Sequence, residues 1–228
     1  MSQSTAGQTG YIGSGPVGGQ SGQESRLARE FRQATPADAP AVRRIFSHEP
    51  SAERLGLADG DPRRAARLQE LFGRVIAGKA PLSRTIVAAE GSEVVGFMQA
   101  GGEGGASLAN AWGVLRIFGP RGIRGFLRRE RARSRVHMAA PAGTYHIAEL
   151  HVDANRRNQG IGAALLAETG RIARAQAFAL MSLTTTTTNP ARHLYERSGF
   201  EVIETRTDPE YQAITGIDGR VLMVKRLE

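Results

Sequence analysis

Eight residues, Arg156-Arg157-Asn158-Gln159-Gly160-Ile161-Gly162-Ala163, combine what a diphosphate requires of a protein. Glycine lets the backbone approach a ligand closely and present several N–H donors at once. A helix N-terminus adds unsatisfied N–H groups and the positive end of its dipole. Arginine adds charge-assisted, often bidentate, hydrogen bonds. The context supplies both flanks: an apolar strand is expected from Tyr145 to Val152, and a helix from Ile161 to about Ala175. The alternative for the glycine pair is an ordinary strand-to-helix turn, and for Arg156 and Arg157 a solvated one.

A second block lies about thirty residues downstream: Asn189-Pro190-Ala191-Arg192-His193-Leu194-Tyr195-Glu196-Arg197-Ser198-Gly199-Phe200. With both blocks in view, the chain resembles the GCN5-related N-acetyltransferase (GNAT) superfamily. The first block fits that family's acyl-CoA signature as Arg157-Asn158-Gln159-Gly160-Ile161-Gly162, and the second its Asn…Leu-Tyr-x-x-x-Gly-Phe segment. The likeness spans roughly residues 31–228, and its specific part is 145–204. Gln159 departs from the Arg or Lys usual there, which removes one phosphate-facing charge.

The resemblance implies acetyl-CoA as co-substrate and a splay between two central strands that admits its pantetheine arm. It implies backbone contacts from His151, Val152 and Asp153, N–H groups from Gln159, Gly160, Gly162 and Ala163 on the pyrophosphate, and charge from Arg156 and Arg157. Asn189 has two compatible roles, helix cap and pantetheine contact. Acetyl transfer to an amine requires a neutral nucleophile, a donor for the developing oxyanion and a proton for the thiolate. Glu149 is the first choice of base, being the one carboxylate in an apolar strand; an exposed or salt-bridged strand carboxylate is the alternative reading. His146 is the rival. Regular alternation puts Glu149 and His151 on one face and His146 on the other, and a bulge would reverse that parity. Tyr195 is the expected acid. Ala191, Leu194, Tyr195 and Ser198 share a helical face that should pack toward the splay; a core tyrosine with a satisfied hydroxyl is the alternative.

These groups need a scaffold, and the pattern along the chain provides one. Residues 1–28, rich in Gly, Ser and Gln, read as a disordered tail ahead of a single acyltransferase domain over 29–228. Thr35-Pro36-Ala37-Asp38 is a helix start, followed by Ala41, Val42, Ile45 and Phe46 at helical spacing. A second helix should run from Pro62 to Ala77. Thr85–Ala89 and Val94–Ala100 flank Glu90-Gly91-Ser92-Glu93 as a hairpin. Residues 106–140 form an insertion with its own helix, on which Ile123, Phe126 and Leu127 make a weak apolar stripe. Trp112 and Phe118 are candidates for lid core or substrate stacking. After the cradle helix come a strand from Phe178 into the Thr184–Thr188 run, a short helix from Asn189 to Gly199, and strands over 200–205 and 221–227. The order β-α-α-β-β-(insertion)-β-α-β-α-β-β argues for an α/β fold. By resemblance that is the GNAT fold, with a mixed, mostly antiparallel central sheet, splayed central strands and flanking helices.

Composition limits the function classes. With 228 residues and 40% hydrophobic content, one core can be built. No cysteine is present, so disulfides and thiolate metal sites are excluded; the five histidines show no metal-ligand spacing. No run is apolar enough for a membrane span, and a cytoplasmic protein is the default. The net charge of +8 is concentrated: Arg116 to Arg135 holds eight arginines against Glu130 alone. That patch could meet an acidic acceptor, an acidic protein or nucleic acid, or simply be a solvated helix.

The first reading is therefore an N-acetyltransferase acting on a primary amine of a small molecule or peptide. The alternatives are acetylation of a protein N-terminus or lysine, and a non-catalytic acyl-CoA or nucleic-acid binding module. Nucleic acid is the less favoured partner. Homodimerisation through sheet edges or C-terminal strands is common in the family.

Overall fold

The computed structural model describes residues 29–101 and 108–228. The tail assigned to 1–28 and the start of the insertion lie outside the described residues. Among the described residues, seven strands form one sheet: β1 (Arg29–Gln33), β2 (Thr85–Glu90), β3 (Glu93–Ala100), β4 (Thr144–Val152), β5 (Leu180–Thr186), β6 (Glu201–Thr207) and β7 (Gly219–Arg226). Their order is β1-β2-β3-β4-β5-β7-β6, and every neighbouring pair is antiparallel except β4–β5. The fold is thus the mixed α/β fold that the residue pattern argued for, with the mostly antiparallel sheet that the resemblance implied.

Helices cover both faces. α1 (Ala39–Phe46), α2 (Ala52–Leu57), α3 (Pro62–Ile76) and α4 (Lys79–Leu82) lie between β1 and β2. The Thr35 start is present: Thr35 N–H and Oγ1 both donate to Asp38 Oδ2, at 2.7 and 2.9 Å. Asp61 caps α3 by accepting from Arg63 and Arg64 N–H at 2.8 and 3.2 Å, with Pro62 at the first position where its missing N–H costs nothing. α5 (Leu108–Val136) is the insertion helix, broken in two at Gly119-Pro120, where Gly119 adopts φ +67°. α6 (Ile161–Ala175) follows β4, and α7 (Arg192–Arg197) follows β5.

Three short helices were not in the expected order: α2, α4 and α8 (Pro209–Thr215), the last lying between β6 and β7. α8 carries an Asp208 cap that accepts from Tyr211 N–H at 2.8 Å, and ends at Gly216 with φ +72°. It matters because Tyr211 anchors α2. The Tyr211 hydroxyl donates to Glu53 Oε1 at 2.8 Å, and Arg220 Nη1 donates to both Glu53 oxygens at 3.0 and 3.2 Å. Burial opposes ionisation of Glu53, but Arg220, the tyrosine bond and Arg133 outweigh it and hold its carboxyl below the ordinary range. Arg220→Met would leave this carboxylate buried without its main counter-charge. It is expected to lower unfolding stability by about 3–5 kcal/mol. Urea unfolding of the variant checks this; a loss below about 1 kcal/mol would mean that Glu53 relaxes to water.

Two apolar layers sandwich the sheet. One joins Ile161, Leu165 and Leu166 of α6 and Tyr195 of α7 to Val95, Met98, Ile147, Met181 and Leu183. The other joins Val42, Ile45 and Phe46 of α1 to Val87, Val94 and Phe97. α5 packs beside α2, α3 and α8 rather than against α6. Of the insertion's aromatics, Phe118 is buried against Phe126, with ring centroids 4.7 Å apart, whereas Trp112 is exposed. Of its apolar stripe, Phe126 is buried and Leu127 faces solvent.

Candidate active site

The sheet opens in the middle. β4 and β5 pair in parallel from Thr144–Leu180 to Ile147–Leu183, and the pairing ends there. Beyond that point β4 stays with β3 up to Gly96–Val152, and β5 stays with β7 up to Thr186–Arg220. A window is left between residues 148–152 and 184–186.

A bulge shapes one edge of this window. Gln99 faces Glu149 and Ala100 faces Ile147, so Ala148 is the extra residue on β4. Tyr145 and Ile147 before the bulge, and Leu150 and Val152 after it, all pack on the α6 side. His146, Glu149 and His151 therefore share the opposite face, the parity that a bulge produces and a regular strand does not. His146 belongs to the closed part of the sheet: its Nδ1 lies 2.9 Å from Ser182 Oγ, which lies 2.7 Å from Thr144 Oγ1. Glu149 lies past the opening. His151 Nε2 is 2.7 Å from Glu149 Oε2, and the His151 ring stacks on Phe97 at 5.2 Å and meets Phe46 edge-on at 5.1 Å. Packing thus fixes the imidazole, and the imidazole orients the carboxylate.

The ladder decides which backbone groups reach the window. Asp153 N–H donates to Val95 C=O at 2.9 Å. Antiparallel alternation gives His151 the same commitment to β3 and turns the backbone groups of Leu150 and Val152 toward β5. Of the expected trio, Val152 alone offers its backbone to the opening. Leu150 joins it, a residue missed because its direction depends on where the bulge falls. Asp153 is structural: its side chain accepts from Asn155 N–H at 3.0 Å and pairs with Arg44, which holds its carboxyl below the ordinary range.

The loop after β4 is built as a cradle. Asn158 and Gly160 take left-handed backbone angles, φ +61° and +76°. α6 begins at Ile161, and its first intrahelical bond runs from Ala164 N–H to Gly160 C=O at 3.0 Å. Among the described residues, no N–H from Arg157 to Ala163 has a protein acceptor. Seven consecutive donors beside a helix N-terminus fit a diphosphate. Arg157 is exposed and has no partner among the described residues, whereas Arg156 leans away to Glu93 at 3.3 Å and Glu90 at 3.6 Å. The Gln159 side chain only brushes Asn155 C=O at 3.5 Å. A side chain at Gly162 would not meet the phosphate side; its Cβ would lie 2.8 Å from Leu194 Cδ2. Gly162 lets α6 approach α7 closely, while Gly160 permits the turn itself.

α7 closes the window on the α6 side. Asn189 Oδ1 accepts from Ala191 N–H at 2.9 Å, and its Nδ2 donates to Thr185 Oγ1 at 2.6 Å, so the amide ties α7 to β5 at both ends. Tyr195 is 7% exposed, and its hydroxyl has no hydrogen-bond partner among the described residues. Burial, with the Glu149 charge second, pushes its pKa up to about 12. A phenol so shifted remains protonated and is suited to donate. Tyr195 and Glu149 thus stand on opposite faces of the sheet with the window between them, close enough for one charge to act on the other.

The arginines of α5 are less available than their number suggests. Arg128 pairs with Glu210, Arg129 with Asp59, Arg133 with Glu130, and Arg135 with Asp208 and Glu210. Among the described residues, half of the basic patch is paired within the fold, which weakens the nucleic-acid reading. Among the described residues, no cluster of acids and histidines could hold a metal ion, and no helix is long and apolar enough to cross a membrane.

The sequence model of the acetyltransferase (GNAT) family matches residues 41–200. The chain belongs to this family. The acetyltransferase uses acetyl-CoA as co-substrate. Its fold is similar to a GNAT-family protein from Desulfovibrio desulfuricans, at 22% identity over 88% of this chain and 100% of that one, with a TM-score of 0.52. It is similar to the PaiA N-acetyltransferase of Thermoplasma acidophilum in complex with coenzyme A, at 14% identity over 88% and 99%, TM-score 0.54. It is also similar to Ard1 from Thermoplasma volcanium, at 17% identity over 89% and 99%, TM-score 0.50. No curated protein matches the sequence.

Gly160 offers a direct test of the cradle in this acetyltransferase. Gly160→Val forces a branched side chain into φ +76°, a conformation costing roughly 1–2 kcal/mol or more. Coenzyme A affinity is expected to weaken by about tenfold. Calorimetric titration measures it, and an unchanged Kd would remove this turn from the binding site.

Proposed function

We propose that this acetyltransferase moves the acetyl group directly from acetyl-CoA to a primary amine of a small molecule or peptide. One acyltransferase domain over residues 29–228 carries the reaction, in the cytoplasm, with which the absence of cysteine is compatible. The observation that carries the reading is the window in the sheet, with an oriented carboxylate on one side and a protonated buried phenol on the other.

The residues divide the work as follows. The N–H groups of residues 157–163, with Arg157, hold the diphosphate. Leu150 and Val152 present backbone groups to the pantetheine arm as an added strand would. Asn189 fixes α7 against β5 and so sets the position of Tyr195. Glu149, oriented by His151, takes a proton from the incoming ammonium, leaving the nitrogen lone pair free to attack the thioester carbonyl. The N–C bond forms, the C–S bond breaks, and Tyr195 gives its proton to the departing sulfur. Glu149 passes the first proton to solvent and then takes the nitrogen's second, while solvent reprotonates the phenolate.

Free-thiol release with a panel of amines tests this. Amine-dependent thiol release with a stoichiometric N-acetyl product supports the proposal. Thiol release without an acetylated amine would reduce the activity to thioester hydrolysis. Transfer only to folded proteins or their N-termini would replace the small acceptor with a protein.

A further inference from the structure

Around Arg54 of α2 gather the charges of Glu149, Glu53, Glu130 and Arg133. The charged groups gathered there sort into pairs. Glu53 is held by Arg220, and Glu130 by Arg133. Among the described residues, one cation of this group is left over. Arg54, next to Glu53 on α2, places its guanidinium 4.3 Å above the centre of the Phe72 ring. Among the described residues its side-chain N–H groups make no hydrogen bond and no ion pair. It is half-buried rather than splayed into solvent. Burial pulls it below the ordinary arginine value, and Glu149, ahead of Glu53, is the acid acting most strongly against that fall.

A half-buried guanidinium with idle donors is costly unless something is to be bound by it. Stacking on Phe72 holds the planar fork in place while leaving its edges free, and those edges match a carboxylate bidentately. α2 cannot easily move it away, because the Ser51 cap and the Glu53–Arg220–Tyr211 cluster pin both sides of the residue. Glu149 thus lies within electrostatic reach of both Tyr195 and Arg54. A molecule reaching from Glu149 to Arg54 presents its amine to the first and an anion to the second.

We infer that the acceptor is an amine that also carries a carboxylate, an amino acid or a compound of that type, and that Arg54 is the residue that selects it. This rests on the amine acetylation proposed above and deepens it. Glu149 and Arg54 together form a receptor for a zwitterion: neither a plain alkyl amine nor a polycation satisfies the guanidinium, and the latter is repelled by it.

Matched pairs test the inference: L-phenylalanine against phenethylamine, L-lysine against cadaverine, glycylglycine against its C-terminal amide. Each acid is expected to exceed its partner in kcat/KM by about tenfold or more, mostly through KM. Arg54→Gln should abolish that advantage, so that each acid and its partner are turned over alike, and Arg54→Lys should restore part of it. Melting curves identify any variant that fails to fold, and Arg54→Lys, which keeps charge and stem, then carries the comparison. Acids and partners turned over equally, or a preference that survives Arg54→Gln, would overturn the inference and leave amine acetylation standing. Should no amine be acetylated, the proposed function falls. Calorimetric titration of L-phenylalanine into the coenzyme A-loaded protein then decides separately. Binding lost in Arg54→Gln supports the carboxylate site, and binding that is absent, or equal in both proteins, refutes it.

Discussion

Glu149→Gln is expected to lower kcat at pH 7 by about 100-fold, the lower end of the range for a lost general base. The substitution preserves shape and can still hydrogen-bond the His151 ring that sits 2.7 Å away, so the fold should be unaffected. The size follows from the acceptor. An alkyl amine of pKa about 10.4 is only about 0.04% neutral at pH 7 and roughly 10% neutral at pH 9.5. A side chain that takes the proton inside the site removes that penalty. The deficit of the variant should therefore shrink as pH rises, and the two pH–rate profiles should converge near pH 9.5. Parallel profiles, or an unchanged kcat at pH 7, would transfer the task to water reached by another route. His146 is a poor substitute, because it is bound to Ser182 where β4 and β5 are still paired.

Tyr195→Phe is expected to cost about tenfold or more in kcat, less than the loss of Glu149. The reason is the leaving group: an alkyl thiol has a pKa near 8.5, so its thiolate departs with less help than an ammonium needs to lose its proton. The reading is clean, because the hydroxyl has no partner among the described residues and its removal orphans none. Stability should stay within about 0.5 kcal/mol. The raised pKa has a sign that can be checked. With the phenol protonated up to about 12, kcat of the native protein should show no downward limb from Tyr195 between pH 7 and 9.5. Full turnover in the phenylalanine variant would make Tyr195 a packing residue against Phe200 and no more.

The strongly periodic parts of the chain were readable from residues alone. α6 runs over the very span that its apolar spacing and Gly160 mark, and the hairpin of β2 and β3 turns at Gly91 as its composition requires. The Thr35 start and the Asn189 cap were legible because one side chain decides each. Three kinds of feature were not. α2, α4 and α8 are too short to show a period, though Ser51 and the Asp208-Pro209-Glu210 start were visible cap signals. The bulge at Ala148 changes every facing on the first half of β4, and nothing in Ile147-Ala148-Glu149 announces it. Long-range pairing was also hidden. Arg156 leaves the phosphate side for Glu90 and Glu93, three of the eight α5 arginines find acids on or beside α8 and beside α2, and Arg54 gains its meaning only beside Phe72 and Glu149.

The central claim is that the run of unengaged N–H groups at the start of α6 binds the diphosphate of the co-substrate. Backbone amide resonances followed during titration with coenzyme A measure this directly. The amides of residues 157–163 should shift together, with saturation matching the calorimetric Kd, and 3′-dephospho-coenzyme A, which retains the diphosphate, should reproduce the shifts. Saturable binding that leaves those amides unmoved, while others elsewhere respond, would contradict the account.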